Sequence, residues 1–142
     1  MNKKAIISVV SKQKGSEEDI IEVVTPGKYY KRNEKYYAVY EESELSGMKG
    51  TTTTLKIEKE KFTILRKGTV NAKMVFENKG RDHVLYSTPH GSLGLSLDII
   101  KVNIDINEDG GDIYANYNLN LGQGQVLPTE IKVNIEAREE LS

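Results

Sequence analysis

The stretch "LGLSLDIIKVNIDI", Leu93 to Ile106, alternates apolar and polar residues along its length with one break. Leu93, Leu95, Leu97 and Ile99 share one face of an extended chain. Ile100, Val102, Ile104 and Ile106 resume the pattern one residue later. Successive side chains of a strand point to opposite faces, so this alternation describes a strand with one face buried. A one-residue slip would turn the second half outward. A β-bulge at Ile99 and Ile100 inserts the residue that keeps both halves on the core, and it bends the strand. A bent, half-buried strand is what the wall of a barrel requires.

Working outward, the same period recurs along most of the chain. Ile113, Ala115, Tyr117, Leu119 and Leu121 oppose Tyr114, Asn116, Asn118 and Asn120. Ile131, Val133 and Ile135 alternate with Lys132, Asn134 and Glu136, and Val70, Ala72, Met74 and Phe76 with Asn71 and Lys73. Thr51, Thr53, Leu55 and Ile57 oppose Thr52, Thr54, Lys56 and Glu58. Turn-rich segments separate these runs: "RNEK" (32–35), "LSGMKG" (45–50), "ENKGRD" (77–82), "EDGGD" (108–112) and "GQGQ" (122–125). Short strands spaced by such turns predict an all-β antiparallel barrel or sandwich, here a single domain over residues 1–142. The one helical candidate, "SEEDIIEVV" from Ser16, has Ser16 and Asp19 at capping-box spacing. Its shortness and its two valines favour strand.

The bulk composition narrows the function classes. The chain has 142 residues, enough for one core without staples, and no cysteine. Disulfides, thiolate metal sites and cysteine nucleophiles are therefore excluded. A net charge of −1 gives no global attraction to nucleic acid or anionic lipid. Lys3 and Lys4 precede the apolar run Ala5–Val10, which is interrupted by Ser8 and ends at Lys12. That run is too short for a signal-peptide core or a membrane helix. A soluble, unexported, cytoplasmic chain is expected, with neither membrane nor nucleic acid as partner.

Several segments in order carry a resemblance: "YAVYEESELSGMKGTTTTLKI", "FTILRKGTVNAKMVFENKG", "YSTPHGSLGLSL", and "DIYANYNLNLG" with "TEIKVNIE". Their succession resembles the YwiB-like family of small bacterial proteins, a domain of unknown function. It covers Ile20 to Glu136, and rests on the spacing of Tyr40-Glu41-Glu42, Arg66-Lys67-Gly68, Tyr86-Ser87-Thr88 with Gly91, and Tyr117. The family is similar to the calycin group, which includes lipocalins. The resemblance implies a closed antiparallel barrel whose interior can hold a small ligand, and it implies no activity. "EAREELS" is too short for the C-terminal helix that lipocalins carry.

The chemistry-bearing motifs are each weighed against a simpler reading. "DINEDG" (105–110) opens like a calcium loop, but the twelfth position is Asn116 instead of a bidentate Glu, and strands flank it. A solvated hairpin turn fits better. "KYYKRNEKYY" (28–37) interleaves cations with aromatics as single-strand binders do. Alternation puts Tyr29 and Tyr30 on opposite faces, and likewise Tyr36 and Tyr37, so a hairpin turning at Asn33 and Glu34 is favoured. His83 and His90 are the two histidines, and no carboxylate motif accompanies them, so no metal site and no cofactor are expected. "GSLGLS" lacks the nucleophile elbow of serine hydrolases. In "TPHG", Pro89 and Gly91 favour a type I turn with His90 exposed.

The polar residues of most interest break the alternation. Arg66 shares parity with Phe62 and Ile64, and Glu42 with Tyr36, Ala38 and Tyr40. If those faces are interior, a guanidinium and a carboxylate lie inside the barrel or at its rim. They form a structural pair, with Tyr40, Tyr86 or Tyr117 as hydrogen-bond partners, or Arg66 and the tyrosines receive an anionic or polar ligand. Candidate ligand residues are Arg66, Glu42, Tyr40, Tyr86, Tyr117 and, at the rim, His90. The expected function is a non-catalytic barrel binding a small polar or anionic molecule. The rivals are a protein-interaction module forming a homodimer and an enzyme with a polar interior.

Overall fold

Ten antiparallel strands wind into a nearly closed barrel in a computed structural model that describes residues 2–13, 20–122 and 124–138. The strands are β1 (Asn2–Gln13), β2 (Ile20–Arg32), β3 (Lys35–Glu41), β4 (Thr51–Ile57), β5 (Lys61–Gly68), β6 (Ala72–Glu77), β7 (Arg81–Thr88), β8 (Gly91–Asn107), β9 (Gly110–Gly122) and β10 (Gln125–Arg138). One 3₁₀ turn, Glu44–Ser46, interrupts the β3–β4 connection. The order around the sheet is β6-β5-β4-β3-β2-β1-β10-β9-β8-β7. Each strand therefore pairs with its sequence neighbour, except at β6 and β7, and the β1–β10 ladder joins the two meanders.

The turns follow from their residues. Arg32 and Lys35 pair across Asn33 and Glu34, both at positive φ (51° and 63°), the conformation of a type I′ hairpin. Thr88 pairs with Gly91 across Pro89 and His90, neither of which has positive φ, as in a type I turn. The Thr88 hydroxyl accepts the His90 N–H and donates to the Gly91 carbonyl, which fixes that turn. Ser16 and Asp19 lie outside the described residues, as do Gln123 and the chain from Glu139; Ile20–Val24 begin β2.

The inward row of each strand forms the core. Ile7, Tyr29, Leu55, Ile57, Phe62, Phe76, Leu97, Ile113 and Val133 are almost completely buried. The Phe62 and Phe76 rings stack with centroids 4.6 Å apart, and Tyr117 meets Phe76 edge-on at 5.1 Å from another part of the barrel. The bulge in β8 is present, where the register against β9 shifts between Ile99 and Lys101. Its content corrects the sequence reading: Ile99 is 4% exposed and Val102 5%, but Ile100 is 51% exposed. Ile100 is thus the extra residue turned out, and the inward phase resumes at Val102.

Between β6 and β7 no continuous ladder forms. Asn71 and Ser87 make one isolated bridge, exchanging backbone hydrogen bonds of 2.9 and 3.0 Å. Farther along, side chains take the place of backbone partners. The Asp82 carboxylate accepts the Val75 N–H at 2.9 Å. The Asn78 side chain bonds both the N–H and the carbonyl of Val102.

Candidate functional site

Odd-numbered strands run out, and even-numbered strands begin, at one end of the barrel. There a cavity of about 330 Å³ opens among side chains from most of the strands. Its size falls at the lower end of small-molecule pockets. Strand register builds its polar wall. Tyr40 on β3 is opposite Thr53 on β4, and Thr53 is opposite Arg66 on β5. Alternation turns all three inward, and Glu42 follows two residues after Tyr40 on the same side.

Within this row Glu42 is fully engaged by protein. Its side chain is only 3% exposed. It accepts a 2.5 Å hydrogen bond from the Thr53 hydroxyl, while its backbone N–H donates to the Thr51 carbonyl. Arg66 differs. Its side chain is 14% exposed, its Nε lies 3.8 Å from Glu42 Oε2, and that Nε is buried with no hydrogen-bond partner among the described residues. The contact balances charge without a hydrogen bond, since N–H···O bonds require about 2.7–3.2 Å. A buried, unpaired donor of a charged group is costly, and native interiors rarely leave one.

Tyr40 and Tyr117 remain hydrogen-bond donors at neutral pH. Burial, and then the Glu42 charge, push the Tyr40 phenol up, with Arg66 opposing. Burial raises Tyr117 to about 12 against the opposing pull of Arg66. Tyr86 lines the cavity from β7, and its hydroxyl meets Met48 Sδ at 3.4 Å, bringing the β3–β4 loop over the mouth. The rest of the lining is largely aliphatic, with Val9, Leu95, Leu97, Leu119 and Ile131 among it.

Of the six residues singled out from sequence, Arg66, Glu42, Tyr40, Tyr86 and Tyr117 line this one cavity. His90 does not. It sits exposed in the β7–β8 turn, outside the lining, because the two-residue turn projects it beyond the strand ends. Sequence reasoning passed over Thr53 and Met48. Thr53 shares parity with Leu55 and Ile57, which was the available signal; Met48 is in a loop, where parity carries none.

Other motifs resolve into structure. The tyrosine-rich hairpin places Tyr29 and Tyr36 in one stack at 5.5 Å, and Tyr30 and Tyr37 in another at 5.2 Å. Tyr29 is buried and donates to the Asn107 carbonyl, so the two stacks lie on opposite faces and share no platform. "EDGGD" is the β8–β9 turn: Asn107 pairs with Gly110 across Glu108 and Asp109. Gly110 and Gly111 have φ of 108° and 144°, and a Cβ on either would meet a backbone carbonyl oxygen at 2.0 Å. Among the described residues no three His, Asp or Glu side chains gather to hold a metal ion, and no helix is long and apolar enough to cross a membrane.

Comparisons with known proteins agree on the fold. The chain is 28% identical over 109 residues to the uncharacterized beta-barrel protein YwiB of Bacillus subtilis (strain 168), covering 76% of this chain and 75% of that protein. The crystal structure of ywiB protein from Bacillus subtilis superposes with a TM-score of 0.80 at 21% identity, over 96% of this chain and 92% of that one. The description "Domain of unknown function (DUF1934)" matches residues 6–133, and with that span of shared sequence the chain belongs to this family of barrels.

Proposed function

We propose that this is a non-catalytic, cytoplasmic binding protein that takes a small anionic molecule into the cavity at the open end of its barrel. In this reading the barrel is lipocalin-like in use, holding one ligand in its interior. The observation that carries the proposal is the Arg66 guanidinium, which lines the cavity with its Nε buried and unbonded. Glu42 offsets its charge but accepts its hydrogen bond from Thr53 instead. An anion entering from the mouth meets the part of the Arg66 side chain that stays exposed, and Tyr86 and Tyr117 line the same space.

The test is a panel of small carboxylates and phosphates, read by melting temperature and by the Arg66 Nε–H resonance. A ligand that binds only the folded state raises the melting temperature by mass action. The expected result is a rise for at least one anion together with movement of the Arg66 signal, both lost in the paired Arg66→Met, Glu42→Gln variant. A panel in which no anion moves either readout overturns the proposal and puts the protein-interaction reading first.

A further inference from the structure

The cavity has two unlike walls. Its charged pair, Glu42 and Arg66, comes from the end of β3 and from β5, with the Tyr40 phenol beside it. Across the barrel, β1, β8, β9 and β10 contribute Val9, Leu95, Leu97, Leu119 and Ile131, a mostly hydrocarbon wall broken by Tyr117 and Ser11. A bare inorganic anion would satisfy Arg66 and leave that hydrocarbon wall in contact with water, which is unfavourable roughly in proportion to the area. A molecule that fills the whole space carries charge at one end and hydrocarbon at the other.

Charge limits the head group. Glu42 lies 3.8 Å from the guanidinium, so the pair already sums close to zero. A dianionic phosphate would bring a second negative charge into repulsion with Glu42 at short range. A single planar carboxylate adds less, and its two oxygens match the fork of a guanidinium. At the mouth Leu93 is 50% exposed and still lines the cavity, so the apolar wall continues to solvent.

We infer that the cavity takes an amphipathic monocarboxylate, an acid with an alkyl or aryl chain, its carboxylate on Arg66 and its chain against Leu95, Leu97 and Ile131. The inference rests on the anion-binding reading and adds the tail to it. The test is calorimetric titration of the full chain with straight-chain saturated acids from butanoate to decanoate, below the concentrations at which they aggregate. The Arg66 Nε–H resonance is followed in parallel. Affinity should tighten about fourfold per added methylene until the chain outgrows the cavity. The methyl ester of the best acid, which has lost the charge, should bind about tenfold more weakly or worse. Equal affinity for butanoate and decanoate, with the Arg66 signal moving for both, overturns the tail and leaves anion binding standing. Chain-dependent binding that leaves the Arg66 signal still, ester binding equal to the acid, or no binding by any acid overturns both.

Discussion

Arg66 and Glu42 show how much one pair of side chains depends on its surroundings. Removing one member of a buried ion pair leaves the other charge uncompensated, while removing both can be nearly neutral. Arg66→Met alone should destabilise the fold by about 3 kcal/mol, the lower end of that range, because Thr53 still hydrogen-bonds the stranded carboxylate. Glu42→Gln combined with it should recover most of the loss, since the glutamine can still accept from Thr53. Urea unfolding midpoints of Arg66→Met, Glu42→Gln and the double variant decide this; additive losses would mean that the two residues do not act as a pair. The inward direction of both was legible, because each shares parity with apolar neighbours. Their relation was not. A 3.8 Å gap with an unbonded Nε depends on side-chain rotamers and on competition from Thr53. No sequence pattern encodes either.

Strands were legible wherever one face is apolar, and least so where the ladder breaks step. The doublet Ile99–Ile100 announced a bulge, but two isoleucines look alike in a sequence. Only pairing with β9 decides which is the extra residue, and it is Ile100. The neighbours should therefore respond in opposite ways to truncation. Ile99→Ala should cost roughly 2–5 kcal/mol, the range for emptying a core site. Ile100→Ala should stay within about 0.5 kcal/mol, as for an exposed position away from special features. Equal losses in denaturant titrations would show that both isoleucines are buried, contrary to the register. The Pro89–His90 turn was legible for a different reason: proline and glycine restrict the backbone locally, and no tertiary contact has to be known. The same local reasoning could not say that this turn stands clear of the cavity.

At the scale of the molecule, the alternation predicted a closed sheet without saying where it closes. The long-range closure is the full ladder between β1 and β10, from Lys4 with Arg138 to Gln13 with Thr129. The weak join lies between β6 and β7, which are consecutive in sequence. Neither follows from a pattern of apolar residues, because strand order is a matter of backbone pairing and parity is blind to it. The join also has a dynamic consequence. Backbone N–H groups alternate sides along a strand, and on this side of the chain Asn71 and Val75 find Ser87 and Asp82. Lys73 lies between them and faces β7 with no ladder to receive it. Its amide should trade hydrogen for deuterium nearly as fast as in an unfolded peptide, while the next amide, Met74, directed at Ile64 of β5, is strongly protected. Comparable protection at both would mean that the ladder is continuous. Met74 and Phe76 on one lip and Tyr86 on the other all reach the cavity. Breathing at this slit would therefore open a side door to the interior while the other nine strand pairings stay intact.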